Sequence, residues 1–247
     1  ESTYGNRLHE DVFDRDTKLL SISREVNEKG GRLLIPSFAI ERTQELLYAF
    51  NKLIKKGKFP DMKIFLDSPL AIKATEIFKK HPEFFDEEAL HKYKNPFEFP
   101  NLKYTPTVDD SKAINDYDKP CVVIAGSGMC TAGRIRHHFK HGLKNPKNTV
   151  LFVGYQAEGT LGRWIVNGAK RVKFMGMQID VKADIRKINS FSAHADYKDI
   201  QKWVRAFKKK PNKIFLVHGE FQSAIALKQK LKKYECIIPS IGDVAKL

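Results

Sequence analysis

Three residues in this 247-residue chain carry the strongest potential for chemistry: Glu1, His194 and His218. His218 closes the apolar run Ile214-Phe215-Leu216-Val217 and precedes Gly219, a position from which an imidazole can point into a cleft as a metal ligand or a general acid/base. A hydrogen-bonded surface or core histidine satisfies the same local pattern. His194 lies in Ser190-Phe191-Ser192-Ala193-His194-Ala195-Asp196, among small residues and just before a helix whose N-terminal end is positive. Glu1 reads either as a solvated terminal carboxylate or as the partner of His194. In such a pair the carboxylate fixes the tautomer and favours the imidazolium that can protonate a leaving oxygen.

Other clusters are less specific. His137 and His141 in His137-His138-Phe139-Lys140-His141 stand one helical turn apart, which is able to bind zinc, yet Arg134, Arg136 and Lys140 oppose a cation and the Glu of HExxH is missing. A phosphate-facing or solvated basic helix fits better. Gly126-Ser127-Gly128 can turn backbone N–H groups toward an anion while Arg134 supplies charge. The loop Gly154 to Arg163, with Gly159 and Gly162, either relieves backbone strain or lets a substrate approach closely. Lys208-Lys209-Lys210 reads as a solvated face that adds to any long-range attraction for a polyanion.

Apolar runs alternate with helical patterns, as in an α/β protein with a parallel sheet and helices on both faces. Leu33-Leu34-Ile35 predicts a buried strand, and Leu46, Leu47, Phe50, Leu53 and Ile54 recur at helical spacing after it. Ile64-Phe65-Leu66 predicts a second strand, followed by an N-cap at Ser68 and Pro69 at the first helical position. Cys121 to Ala125 and Val150 to Val153 repeat the pattern. Residues 81–118 read as helices and loops on the rim, and Lys173 to Ile188 as short antiparallel strands. Asp196 caps a helix with Ile200, Trp203, Val204 and Phe207; a strand over 214–217, a helix over 221–234 and a strand at Cys236-Ile237-Ile238 complete the chain. Strand C-termini gather ligands in such sheets, so Asp67-Ser68, Gly126-Ser127-Gly128, Gly154-Tyr155 and His218-Gly219-Glu220 form the candidate site.

Forty-two per cent apolar and 30% charged residues exclude global disorder. Lys and Arg total 44 against 29 Asp and Glu, a formal charge of +15 that favours anionic partners. No run approaches the ~18 apolar residues of a membrane span, and no secretory signal opens the chain, so a soluble protein without a membrane partner is expected. Cys121, Cys130 and Cys236 make neither a disulfide framework nor a CxxC pair, which points to a reducing, cytoplasmic setting.

Taken in order, Glu1-Ser2-Thr3-Tyr4-Gly5 with His9, Ser127-Gly128-Met129 with Gly133-Arg134, Gly154-Tyr155-Gln156 with Glu158-Gly159-Thr160-Leu161, Phe191-Ser192-Ala193-His194-Ala195-Asp196 and Val217-His218-Gly219-Glu220 resemble the β-CASP branch of metallo-β-lactamase-fold nucleases. The resemblance covers nearly the whole chain and is nearest to the bacterial and archaeal RNA-processing members, similar also to the nuclease subunit of the cleavage and polyadenylation factor. It implies a zinc-dependent hydrolase of RNA phosphodiesters. Glu1 matches the acid of motif A, His194 the motif B histidine proposed as general acid, and His218 the motif C histidine that ligates zinc. DNA-processing relatives commonly carry Val at motif C, so His218 is similar to the RNA branch.

The family's His-x-His-x-Asp-His signature lies upstream of motif A and does not occur here. The expectation is therefore a C-terminal part of the enzyme: the end of the metallo-β-lactamase part at residues 1–5, the β-CASP domain at 6–189, and a C-terminal segment of the metallo-β-lactamase αββα domain at 190–247. The family's two zinc ions would find most of their ligands outside this chain, which alone is expected to be inactive. Ser127, Gly128, Arg134, Arg163 and Ser192 are the residues expected to meet RNA phosphates. RNA is the expected partner, and a homodimer is the assembly to test for. The rival reading is a noncatalytic RNA-binding or assembly subunit of the same fold. A nucleotide-binding α/β domain is disfavoured, because no GxGxxG or Walker pattern follows a strand.

Overall fold

A computed structural model describes residues 1–11, 14–93 and 95–245; residues 12, 13 and 94 of the expected β-CASP range and 246 and 247 of the C-terminal segment lie outside them. The chain folds as two compact units, Asp11–Ser192 and Glu1–Glu10 with Ala193–Leu247.

The larger unit contains α1 (Asp14–Lys29), β1 (Arg32–Pro36), α2 (Arg42–Lys55), β2 (Lys63–Leu66), α3 (Pro69–Lys80), β3 (Leu102–Tyr104), α4 (Val108–Ala113), β4 (Cys121–Ala125), α5 (Ile135–Gly142), β5 (Thr149–Phe152), α6 (Leu161–Val166), β6 (Arg171–Phe174), β7 (Met177–Asp180) and β8 (Asp184–Lys187). Six strands form one parallel sheet in the order β3-β2-β4-β1-β5-β8. Leu34 of the central strand stands opposite Val123 on one side and Val150 on the other. Because helices cover both faces, successive side chains alternate between two apolar cores, and the strands read as unbroken hydrophobic runs. Leu33, Ile35, Val122, Ile124 and Leu151 pack on the α1–α2 side. Leu34, Val123, Val150 and Phe152 pack with Ile135 and Phe139 of α5 on the other.

Local signals act as the sequence indicates. Leu46, Leu47, Phe50 and Leu53 are the buried stripe of α2. The Ser68 hydroxyl accepts the Ala71 N–H at 3.3 Å, with Pro69 in the first turn of α3. Two expectations need correction. The region read as rim helices and loops also supplies β3, a three-residue edge strand parallel to β2. Of the stretch read as antiparallel strands, only β6 and β7 are so paired, turning through Met175 and Gly176 at positive φ. β8 instead joins β5 in parallel, because Asp184 N–H bonds the Asn148 carbonyl and sets that register.

The smaller unit holds α7 (Tyr197–Arg205), β9 (Ile214–Phe215), α8 (Phe221–Lys230) and β10 (Cys236–Ile237), with β9 and β10 parallel. Its core is Ile200, Val204, Leu216, Ala224, Leu227, Leu231 and Cys236. The regular strands are shorter than the apolar runs suggested, and α8 ends at Lys230 rather than near Tyr234. Asp196 caps α7 reciprocally: its carboxylate accepts the Lys198 and Asp199 N–H groups, and Asp199 accepts that of Asp196. No helix among the described residues is long and apolar enough to cross a membrane, and all three cysteines are buried free thiols.

Candidate active site

Within the smaller unit, three separate segments converge on Glu1, His194 and His218. The first segment is threaded by backbone bonds. Ser2 N–H and the Thr3 hydroxyl both donate to the His218 carbonyl, at 3.2 and 2.9 Å, and the Ser2 hydroxyl donates to the Val217 carbonyl at 3.0 Å. Gly219 permits this approach, because a Cβ there would lie 2.4 Å from the Ser2 hydroxyl oxygen. His218 itself takes φ 50°, a left-handed conformation that histidine adopts more readily than most residues. Its Nδ1 lies 3.3 Å from Thr3 Oγ1. The Thr3 hydroxyl has one proton, already given to the His218 carbonyl, so this contact is Nδ1–H donating to Oγ1. That tautomer leaves the Nε2 lone pair for a metal.

His194 is held from the opposite side. Its Nδ1 donates to Glu1 Oε2 at 2.5 Å, while Glu1 Oε1 accepts the Ala195 N–H at 3.1 Å. Burial pushes the Glu1 carboxyl upward, but the bonds from Ala195 and His194, with the histidine's charge, outweigh it and hold the group below its ordinary value of 4.5. The carboxylate is thus kept ionised against the imidazole. The rings of His194 and His218 lie 5.4 Å apart. One ligand atom from each of Glu1, His194 and His218 lies within 4.8 Å of the others. Imidazole nitrogen is a donor that zinc accepts, and a carboxylate behind an imidazole, as Glu1 stands behind His194, is the usual support of a histidine at a metal site. The residues present therefore fit a zinc ion. Glu1 also edges an apolar groove of about 650 Å³ lined by Trp203, Phe207 and Leu216.

Sequence reasoning gave His9 no role, although it stands in the first motif. Its Nε2 donates to the His194 carbonyl at 2.5 Å, its N–H bonds Asp196 Oδ2 at 3.1 Å, and its ring packs edge-on against Tyr4. It ties the histidine segment to the α7 cap.

Within the larger unit, several residues expected at the phosphates also bond within the protein, in ways the sequence did not reveal. Arg134 donates to Asp67 Oδ1 at 2.8 Å and to the carbonyls of Thr105 and Pro106. Asp67, fully buried, also accepts from Thr105, from Ser111 at 2.6 Å and from His138 Nε2 at 2.6 Å. Burial alone would raise its pKa. The bonds from His138 and Ser111, the charge of His138 and the bond from Arg134 reverse that, and the carboxyl is held below 3.8. In the basic helix the buried histidine is His138, while His137 and His141 are exposed.

Ser127 is half-buried and its hydroxyl accepts the Ala132 N–H. Gly128 is pressed against the Phe38 ring, where a Cβ would come within 2.6 Å. Gln156 donates to the Gly128 carbonyl at 2.9 Å, and Gly162 N–H bonds the Met129 carbonyl, so the loops after β4 and β5 are brought together. Arg163 reaches the Gln156 carbonyl and stacks over Tyr155. Ser192 is half-buried at the end of this unit.

The chain combines a parallel α/β unit with a second unit bearing a carboxylate–imidazole pair beside another imidazole. Residues 43–165 match the Beta-Casp domain, and residues 178–239 match the Zn-dependent metallo-hydrolase RNA specificity domain. The chain belongs to the β-CASP family of metallo-β-lactamase-fold RNA nucleases. It is 37% identical over 231 residues to Ribonuclease TTHA0252 of Thermus thermophilus, covering 92% of this chain and 52% of that protein. It is 35% identical over 233 residues to the Transcription termination factor FttA of Methanocaldococcus jannaschii (89% and 36%), and 33% identical over 250 residues to the RNase J-like protein of the same organism (99% and 57%). The chain thus spans 36–57% of the length of these relatives.

Proposed function

We propose that the full gene product is a zinc-dependent ribonuclease in which His194 protonates the leaving oxygen, Glu1 holds that imidazole, and His218 is a metal ligand. The observation that carries the reading is the 2.5 Å bond between Glu1 and His194 beside the His218 ring. Bound zinc supplies positive charge for the phosphoryl oxygens and acidifies water. Glu1, kept ionised, fixes Nδ1 of His194 as donor and presents the opposite edge of the ring to substrate; a proton delivered from that edge neutralises the departing oxygen. Thr3 orients His218 through Nδ1. The smaller unit is read as the C-terminal segment of a metallo-β-lactamase αββα domain, and the larger one as the β-CASP domain.

RNA as substrate is supported by the RNA specificity match, by relatives named ribonuclease and transcription termination factor, and by the charge of +15. The resemblance implies two zinc ions, which need donors beyond Glu1, His194 and His218. Buried free thiols and the absence of a membrane-crossing helix among the described residues support a cytoplasmic site of action. Sedimentation of the purified protein decides whether two copies pair.

The roles are separated by metal analysis beside single-turnover rates in the full gene product. His218→Ala is expected to lose zinc and activity together. His194→Ala is expected to keep zinc and lose rate. Equal zinc loss in both would make His194 a ligand and reject its assignment as the acid. Unchanged zinc in His218→Ala rejects its assignment.

A further inference from the structure

At the end of the parallel sheet where the strands begin lies a cleft of about 700 Å³, bounded by the C-terminal end of α5 and the β6–β7 hairpin. α5 starts beside the strand C-termini, where Ile135 N–H bonds the Gly126 carbonyl, and runs back across the sheet, so this cleft is opposite the Asp67–Arg134 network. Two backbone bonds build it: Lys182 N–H and Ala183 N–H both donate to the Leu143 carbonyl, at 2.8 and 2.9 Å, drawing the segment after β7 onto the end of α5. Lys140, Lys144 and Lys182 are exposed along its walls with Arg171 and His141. Its one lining carboxylate, Asp180, is engaged by Arg171 at 2.6 Å.

Three ammonium groups therefore share one concave surface whose carboxylate is already spent. Burial first, and then the positive charge of Lys140, His138, Lys144 and Arg32, hold His141 below its ordinary value of 6.5. A solvated lysine face on a convex helix would not be folded around a cavity in this way.

We propose that this cleft docks the phosphate backbone of single-stranded RNA, with Lys140, Lys144 and Lys182 each neutralising a phosphate. The inference rests on the RNA reading of the family and adds a contact surface to it. Tracking contacts of this kind act through charge and counterion release and carry little sequence preference.

The test is fluorescence anisotropy of this chain with a labelled single-stranded RNA oligonucleotide across a salt series. The triple variant Lys140→Glu, Lys144→Glu, Lys182→Glu is compared with Lys228→Glu, Lys232→Glu, Lys233→Glu, which makes the same change of net charge on exposed positions of the smaller unit. The cleft variant is expected to bind at least about tenfold more weakly at low salt. Its slope of log affinity against log salt should fall by about 2, at roughly 0.7 per phosphate lost. Circular dichroism confirms that both variants fold. Equal losses in the two triples, or wild-type binding by the cleft variant, overturn the assignment and leave RNA as substrate intact. Failure of the wild-type chain to bind RNA at all, with no cleavage by the full gene product, overturns the RNA reading and the cleft with it.

Discussion

At the scale of single residues, the proposed chemistry rests on hydrogen bonds that leave an imidazole one defined task. Glu1 has both oxygens engaged, by His194 and by Ala195 N–H, and its lowered pKa keeps it ionised where a free glutamate would begin to protonate. Sign follows directly: the pair's contribution is complete above the ordinary value of 4.5 and is lost only as pH falls through the lower folded value. Glu1→Gln removes the charge while keeping the shape, and is expected to slow RNA cleavage by about 10–100-fold, the usual cost of losing a carboxylate behind a site histidine. Combined with His194→Ala it should add little, because a carboxylate that acts through the imidazole has nothing to act on once the ring is gone. A double-mutant cycle of single-turnover rates measures this. Strictly additive losses would separate the two residues.

Elements matter by where they end. Asp67 stands at the C-terminus of β2, and its side chain gathers Thr105, Ser111, Arg134 and His138 from three later segments. Asp67→Ala leaves a guanidinium and an imidazole without their anion and should cost about 3–5 kcal/mol in a urea titration. Its folded pKa is depressed, so the stabilisation is present above 3.8 and lost as pH falls through the folded value. Asp67→Asn should therefore flatten the acid side of a stability–pH curve; an unchanged acid limb would contradict that. At α7, Asp196→Ala should cost about 1 kcal/mol as a lost cap, and Asp196→Ser should recover most of it. Loss restored by neither Ser nor Asn would assign the effect to the His9 bond instead.

Caps, the α2 stripe and the continuous strand runs were legible in the sequence because each depends on neighbours within a few positions. β3 was not, since three half-exposed or exposed residues at a sheet edge carry no pattern of their own. β8 looked antiparallel because Asp184, Arg186 and Lys187 put polar residues in an edge strand. That Arg134 would meet Asp67, 67 positions away, no local pattern could show.

For the molecule as a whole, the sequence pointed to the three residues of the candidate site, but nothing local could reveal that Glu1 and His194, 193 positions apart, would touch. Only the ordered motif set linked them. The most direct measurement is RNA cleavage by the full gene product, stripped with a chelator and then resupplied with zinc, for wild type and His194→Ala. Zinc should restore cleavage to the wild type, while His194→Ala should take up the same zinc and remain about 10²–10⁴-fold slower, as expected for a lost general acid. Cleavage that ignores the chelator, or His194→Ala cutting RNA as fast as wild type, would contradict the account.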